Sequence, residues 1–205
     1  MESLKILFGG QDRVKNIRLF LFNPGEIFDV ETICEKLKIK IKQVKEDLII
    51  LDKAKLIRKK AFFKSIEVKK GKKIIHKKKK IIGYLLNPEF SYTSQLKELF
   101  VSDEMLKRNT IVQKLSRAGK IKMVIIAGIF IQNPESRLDM LVVGDRINRT
   151  ILDNSIKALE VELGKELNYA YFELSDFQYR LEMCDKLIRD VFDFPHQVLL
   201  DKINL

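Results

Sequence analysis

Lysine and arginine side chains concentrate in one short segment of the chain, and the chemistry that suits them there is the binding of phosphate. From Arg58 to Lys80 the sequence holds twelve Lys or Arg residues, one histidine and a single acid, Glu67. Alternate lysines of a strand share a face and repel one another, so the run Lys77-Lys78-Lys79-Lys80 needs a counter-charge. Nucleic-acid phosphates supply it. The alternative is a solvated edge that prevents sheet aggregation, but one or two lysines would suffice for that.

The positive charge of the chain is confined to its first half. Residues 1–100 carry 24 Lys and Arg against 12 Asp and Glu (+12), whereas residues 101–205 carry 15 against 16 (−1). This segregation predicts a polyanionic partner for the first half. The longest apolar run, Val124–Ile131, is too short to span a bilayer. No export leader follows Met1, so a cytoplasmic protein without a membrane partner is expected.

The content of cysteine and histidine argues against a metal centre. Cys34 and Cys184 lie in helical patterns of different halves, no CxxC pair occurs, and the chain has only two histidines. This composition predicts buried free thiols in a reducing compartment and excludes a structural zinc site. No metal or cofactor is expected.

Three helices are predicted before the basic segment. Apolar residues recur at helical spacing over Gln11–Phe22, and Asn23-Pro24-Gly25 ends that helix. Asp29 is placed to cap a helix that runs through Leu37. After three residues the helical spacing resumes over Ile41–Lys55. Two helices separated by so tight a turn are typical of a helix-turn-helix.

The basic segment itself is predicted to be a β-hairpin. Leu56–Leu86 is rich in β-forming residues, and Lys69-Lys70-Gly71-Lys72-Lys73 interrupts it as a glycine turn. Such a hairpin after a helix-turn-helix is the wing of a winged helix. Two further helices, around Ser94–Phe100 and Glu104–Arg117, are predicted to bridge to a second domain.

The residues expected to contact DNA follow from this arrangement. Lys40 and Lys42 stand at the start of the third helix, where positive charge opposes the helix dipole, so a partner explains them better than the fold does. This end of the helix enters the major groove in a helix-turn-helix, where lysine suits phosphate or guanine and Gln43 suits adenine. The predicted contacts are Lys40, Lys42, Gln43, Lys45 and Glu46 on the helix, and Lys69, Lys70, Lys72, Lys73, Lys77, Lys78, Lys79 and Lys80 on the hairpin.

The second half predicts a small α+β domain. Its expected elements are strands at Ile121–Ala127, Arg137–Val143 and Leu167–Leu174, a helix at Asn148–Leu163 and a helical tail. Gly164 is well placed to end the long helix.

The first half resembles ArsR/MarR-type winged-helix regulators of bacteria and archaea. Leu7-Phe8-Gly9-Gly10, Arg13-Val14-Lys15 and Leu19-Phe20-Leu21-Phe22-Asn23-Pro24 are similar to their opening. Val44-Lys45-Glu46-Asp47-Leu48 resembles the recognition helix, and Tyr84-Leu85-Leu86-Asn87-Pro88 resembles the closing strand of the wing. The resemblance implies a DNA-binding domain over residues 1–88, a helical linker over residues 89–119 and double-stranded DNA as the partner.

Two departures from those regulators matter. Lys55 stands where they usually have a glycine; a side chain there costs about 1 kcal/mol if the backbone is left-handed. The metal-sensing cysteines of ArsR proteins are absent, so metal sensing is not implied.

The second half, residues 120–205, resembles small nucleotidyltransferases, which are often fused behind such a winged helix. Those enzymes have a strand, a Gly-Ser turn that holds the nucleotide phosphates, and an acid-x-acid pair on the next strand that holds Mg²⁺. Here Ile129 follows Gly128 in place of the serine, Arg137 replaces the first acid, and only Asp139 remains. The third acid falls near Asn168. The resemblance therefore implies a degenerate nucleotide cleft of Gly128, Ile129, Arg137, Asp139 and Asn168, without catalytic residues.

We expect Arg137 and Asp139 to form an ion pair rather than a Mg²⁺ site. Taken together, the sequence predicts a DNA-binding transcriptional regulator whose nucleotidyltransferase-like domain is a scaffold or a sensor. Two alternatives stay open. One is an active nucleotidyltransferase that modifies protein or RNA, with Glu135, Asp139 or Asp145 holding a metal. The other is an RNA-binding protein that stacks bases on Phe62 or Phe63, although core packing is the expected role of both rings. Whether the chain forms a homodimer, and whether the cleft still binds a nucleotide, stay open too.

Overall fold

A computed structural model describes residues 2–70, 73–101, 108–133 and 135–203 of the chain. The fold is mixed α+β, as the sequence predicts. It divides into two compact units, one of residues 2–96 and one that begins at Lys97. Within the described ranges, no helix combines the length and the apolar character needed to cross a membrane.

The N-terminal unit consists of short helices followed by a long hairpin. Its elements are α1 (Glu2–Phe8), α2 (Gln11–Phe22), α3 (Val30–Leu37), α4 (Ile41–Lys53), β1 (Ile57–Lys70) and β2 (Lys73–Leu86). Helix α2 has the predicted bounds. Asp29 caps α3 as predicted, because its Oδ1 accepts a hydrogen bond from the Thr32 amide at 2.8 Å. Helix α1 was not predicted as an element.

Helices α3 and α4 are separated by the tight turn that the sequence predicts. Only Lys38, Ile39 and Lys40 separate them; Lys38 adopts a left-handed backbone (φ 56°), and Ile39 is buried. The segment before α3 is tied to the hairpin, because the amide of Phe28 donates to the Tyr84 carbonyl at 2.9 Å and the Tyr84 amide returns the bond at 2.8 Å. The hairpin is therefore anchored to the helices at its base.

Helix α4 ends two residues earlier than predicted because the chain reverses at Lys55. Lys55 has a left-handed backbone (φ 59°), its amide donates to the Asp52 carbonyl at 3.0 Å, and the Leu56 amide donates to the Leu51 carbonyl at 3.1 Å. These bonds form the Schellman motif that usually places glycine at this position. The left-handed backbone considered from the sequence is confirmed.

Replacing Lys55 with glycine is therefore expected to raise the free energy of unfolding by about 1 kcal/mol, because glycine adopts the left-handed backbone without strain. Urea unfolding of the full chain, followed by circular dichroism, measures the change. Lys45→Gly, an exposed position inside α4, is the matched control and should lower the free energy by about 0.7 kcal/mol. A Lys55→Gly protein that is less stable than the parent would contradict the strain at this position.

The C-terminal unit is a four-stranded sheet with helices. Its elements are α5 (Thr93–Val101, which spans the unit boundary), α6 (Arg108–Leu115), β3 (Lys120–Ile126), β4 (Met140–Asp145), α7 (Arg149–Leu163), β5 (Tyr169–Glu173), α8 (Leu174–Glu182), α9 (Lys186–Asp193) and β6 (Gln197–Asp201). The strand order is β5-β4-β3-β6. Strand β3 is antiparallel to β4 and β6, and β4 is parallel to β5, to which α7 connects it.

The core of this unit packs the sheet against α8 and α9. Met123, Ile125, Leu141 and Val143 from the two central strands meet Phe177, Ile188 and Val191 from the helices, and all seven are buried. Strands buried this completely read as continuous apolar runs. Asn148 caps α7 through the Ile151 amide, and Gly164 ends it in a left-handed backbone (φ 70°), as predicted.

Three sequence predictions for this unit were wrong in detail. Strand β4 begins at Met140, not at Arg137, because Asp139 bonds to backbone amides of the segments beside it instead of extending the strand. Residues Gln197–Asp201 form β6 instead of continuing the helical tail, since pairing with β3 is a long-range contact that local spacing does not reveal. Cys184 is a free thiol, as expected, but it is exposed rather than buried.

Candidate nucleic-acid interface

Helix α4 presents a row of exposed side chains opposite its buried face. Val44, Leu48 and Leu51 are buried, as predicted. Lys42, Glu46, Ile49 and Lys53 are exposed, and their spacing of four, three and four residues places them in one row along the helix. Lys40 and Lys45 are also exposed. Four of the five contacts predicted on this helix are therefore accessible to a ligand.

The fifth, Gln43, is engaged within the protein. Its Nε2 donates to Oδ1 of Asp47 at 3.1 Å. Asp47 is fully buried and also accepts from Arg13 Nε at 2.9 Å and from Asn16 Nδ2 at 2.9 Å, which holds α4 against α2. The bond to Asp47 uses one hydrogen of the Gln43 amide and fixes the direction of the side chain. This network was not predicted from the sequence, although an acid within the apolar face of the helix was its signal.

The lysine run of β2 lies exposed on a hairpin arm. Lys77, Lys78, Lys79 and Lys80 are all exposed and face Ile66, Ser65, Lys64 and Phe63 of β1 in the antiparallel register. None of these four lysines forms an ion pair with a carboxylate of the described residues. Lys69, Lys70 and Lys73 belong to the strands, but their side chains, and the whole of Lys72, lie outside what the structure describes.

Two lysines of β1 are paired with acids of the helices. Lys59 Nζ lies 2.9 Å from Oδ2 of Asp52, and Lys64 Nζ lies 2.7 Å from Oδ2 of Asp29 and 3.6 Å from Glu31. Hydrogen bonding to the two aspartates raises the pKa of each lysine. These ion pairs hold β1 to α4 and to the start of α3.

Burial raises the pKa of Asp29, but hydrogen bonds from Lys64 and the Thr32 amide outweigh it, and the pKa lies below its ordinary value of 3.8. Asp29→Ala, which removes the cap and the ion pair, is expected to lower the free energy of unfolding by about 1 kcal/mol at pH 7. A lowered folded-state pKa contributes stability above the unfolded pKa and loses it as pH falls through the folded value.

The ion-pair part of that stability therefore disappears on acidification. Asp29→Asn keeps a capping side chain and serves as the matched control. Urea unfolding should show Asp29→Asn less stable than the parent at pH 7, and the difference should shrink as the pH falls below the ordinary aspartate pKa of 3.8. A difference that does not change with pH would contradict the ion pair with Lys64.

One face of the hairpin carries exposed apolar side chains. Phe63 is 67% exposed and Ile82 is 62% exposed. The expected core packing of Phe63 was wrong, whereas Phe62 on the opposite face is half-buried beside Gly83, whose missing side chain leaves room for the ring. The outward direction of Phe63 follows from strand alternation.

In the C-terminal unit, the side chain of Asp139 is hydrogen-bonded to backbone amides. Its Oδ1 accepts from the Ile129 amide and its Oδ2 from the Asn168 amide, both at 2.9 Å, and the residue is 8% exposed. Gly128 has a left-handed backbone (φ 52°), and a Cβ there would collide with Oδ1 of Asp139. The structure thus brings Gly128, Ile129, Asp139 and Asn168 together, but the carboxylate fills the space between them.

Arg137 lies outside this cluster, and the expected ion pair with Asp139 was wrong. Its Nε lies 2.9 Å from Oδ2 of Asp190 in α9, and its side chain is 55% exposed. The two residues precede β4 rather than sharing one face of it, so the expected geometry does not arise. Beside Arg137, a cavity of about 10 Å³ is lined by Ser136, Leu138 and Asp190 among others, which is room for about one water molecule.

No three or more His, Cys, Asp or Glu side chains within the described ranges are grouped so that they could hold a metal ion. Comparison with protein-family models, with curated proteins and with solved structures finds no match to this chain. The exposed surfaces of α4 and of the hairpin are therefore interpreted from the chemistry of their own side chains.

Proposed function

We propose that this chain is a cytoplasmic prokaryotic transcriptional regulator that binds double-stranded DNA through a winged helix in residues 2–96. The observation that carries the proposal is the exposed run Lys77–Lys80 on a hairpin that directly follows a helix-turn-helix. Phosphate contacts supply most of the affinity of such proteins, and unpaired lysines are the groups that make them.

The order of elements supports the same assignment. A helix, the bridge at Phe28, the pair α3 and α4, and a two-stranded hairpin follow one another in the chain. In a helix-turn-helix the second helix lies in the major groove. On α4 this places Lys42, Glu46 and Ile49 toward base edges, where lysine suits guanine, a carboxylate suits cytosine N4 and an apolar group suits the thymine methyl.

We infer that the C-terminal unit is a degenerate nucleotidyltransferase-like domain that performs no transfer. A catalytic carboxylate must present its oxygens to the metal. Asp139 instead accepts a hydrogen bond from a backbone amide at each of its two oxygens, and Arg137 is paired with Asp190. A role as scaffold or sensor for the DNA-binding unit agrees with these contacts.

Salt dependence tests the DNA-binding proposal. The affinity of the full chain for a 30-base-pair duplex of mixed sequence is measured by fluorescence anisotropy at several salt concentrations. If the four exposed lysines each neutralise one phosphate, the logarithm of affinity should fall against the logarithm of salt with a slope of about −3.6 or steeper. Weak binding that does not change with salt would refute the proposal.

Two further measurements test the alternative functions, RNA binding and nucleotide transfer. Tighter binding to structured RNA than to duplex DNA at the same salt would identify an RNA-binding protein, because duplex RNA presents a different groove geometry. Incorporation of a labelled nucleotide in the presence of Mg²⁺ would identify an active transferase. Neither is expected.

A further inference from the structure

We propose that Phe63 is a wedge that enters the minor groove of the bound duplex between two base pairs and bends the DNA. This inference rests on the proposed function of the N-terminal unit and adds to it a residue that distorts the DNA. The observation behind it is an aromatic ring that is 67% exposed and stands opposite Lys80, the first of the exposed lysine run to be met from the base of the hairpin.

The surroundings of Phe63 combine apolar and positive groups on one face. Cross-strand partners share a face of the sheet, and the register pairs Phe63 with Lys80, Ser65 with Lys78 and Ala61 with Ile82. Ile82 and Ala61 are exposed beside the ring. A partner that matches this face must present apolar surface and negative charge together. DNA does so when a base step opens between its phosphates.

The hairpin face is turned toward the same helix that carries the predicted base contacts. Lys59 alternates with Phe63 along β1 and therefore shares its face, and Lys59 pairs with Asp52 of α4 at 2.9 Å. The opposite face is held at α3, where Lys64 pairs with Asp29. DNA that occupies the exposed side of α4 therefore meets the Phe63 face of the hairpin.

The side chains on this face favour insertion between the base pairs of a duplex over stacking of unpaired bases. Single-strand binding surfaces stack successive bases on several aromatic rings. On this face Phe63 is the one aromatic ring among the described side chains that is mostly exposed, since Tyr84 is half-buried, and its apolar neighbour is the aliphatic Ile82. Phenylalanine and isoleucine are side chains that unstack a base step and kink the duplex by about 20–90°.

The experiment measures affinity and bending together. A 30-base-pair duplex with several TA steps, which kink easily, carries a donor and an acceptor fluorophore at its two ends. We expect the full chain to bind it and to increase energy transfer between the ends. Phe63→Ala should bind about tenfold more weakly and should produce no increase, while the slope of affinity against salt stays unchanged because the lysines remain.

Two variants test whether the effect on affinity and bending depends on an apolar side chain at position 63. Phe63→Leu keeps an aliphatic wedge and should retain about half or more of the increase in energy transfer. Tyr179→Ala removes an aromatic ring that is 60% exposed in the C-terminal unit and should leave affinity and bending unchanged. Circular dichroism and thermal unfolding establish that each variant is folded.

Several outcomes would overturn the wedge while leaving the DNA-binding proposal standing. These are a Phe63→Ala protein that binds and bends the duplex as the parent does, or a parent protein that binds without bending. Preference for single-stranded DNA that Phe63→Leu loses as fully as Phe63→Ala would point to stacking on unpaired bases. A change in oligomeric state on sedimentation of Phe63→Ala would assign the face to contact between copies. Weak, salt-independent binding by the parent would overturn the proposed function and the wedge with it.

Discussion

A protein in which Lys77, Lys78, Lys79 and Lys80 are all replaced by glutamine is expected to lose most of its salt-dependent affinity for duplex DNA. Each neutralised phosphate contributes about 0.9 to the slope, so four contacts account for a change of about 3.6. Between 50 and 200 mM salt, the parent should then lose about 100-fold more affinity than the variant. This is the largest effect that the N-terminal surface predicts.

The four substitutions should leave the fold intact. The lysine side chains are exposed and form no ion pair with a described carboxylate, so their removal also relieves repulsion within the strand. The pairs Lys59–Asp52 and Lys64–Asp29, which hold β1 to the helices, are untouched. Thermal unfolding of the variant should match that of the parent.

A matched control separates local contact from net charge. Replacing Lys157, Lys165, Lys186 and Lys202 of the C-terminal unit with glutamine lowers the net charge by the same amount. This protein should keep the salt slope of the parent, measured by anisotropy on the same duplex. Equal losses in the two quadruple variants would mean that binding follows total charge and would contradict a site on the hairpin.

Asp139→Ala is expected to lower the free energy of unfolding of the C-terminal unit by about 3 kcal/mol. The substitution removes two hydrogen bonds to a charged acceptor and leaves the amides of Ile129 and Asn168 without these partners in a partly buried place. Urea unfolding measures the loss. Hydrogen exchange provides a site-specific test, since the amides of Ile129 and Asn168 should lose protection before the amides of β3 and β4.

The control for this prediction is an acid that does not bind the backbone. Asp193 at the end of α9 is 63% exposed and pairs with Arg189 at 3.6 Å, so Asp193→Ala should change stability by less than about 0.5 kcal/mol. An Asp139→Ala protein that is as stable as the parent, but that loses a nucleotide-transfer activity present in the parent, would instead identify Asp139 as a catalytic residue. That result would reverse the assignment of this unit.

The lysine run of β2 and Asp139 differ in what their side chains contact. Lys77, Lys78, Lys79 and Lys80 form no ion pair with a described carboxylate, and the proposed function assigns them to a partner. Asp139 serves the fold, because its oxygens are satisfied by the chain itself. Similar reasoning separates Lys64, which is paired with Asp29, from Lys80, which faces Phe63 and belongs to the proposed DNA surface.

Local sequence patterns determined part of the secondary structure in both units. The spacing of apolar residues placed α2 with its bounds, and Asp29 and Gly164 marked the start of one helix and the end of another, because caps act through bonds within a few residues. The charge segregation and the lysine run are likewise properties of the sequence. Helix α4 was predicted to run through Lys55, and strain there was considered only because the regulators that the first half resembles usually have a glycine at this position.

Only the tertiary structure decided what the side chains contact. Gln43 binds the buried Asp47 instead of facing solvent, and Phe63 points outward instead of into the core. Arg137 pairs with Asp190, some fifty residues away, instead of with its neighbour Asp139. Strand β6 likewise exists through pairing with β3, more than seventy residues earlier. The Arg137–Asp190 pair and strand β6 depend on groups that are distant in sequence and meet only after the chain has folded, so spacing within a short window carries no information about them. Gln43 and Asp47 are one helical turn apart, but Arg13 and Asn16, more than thirty residues earlier, bind Asp47 in its buried position. Strand alternation separates the two faces of the hairpin, and only packing against the helices decided which face is covered.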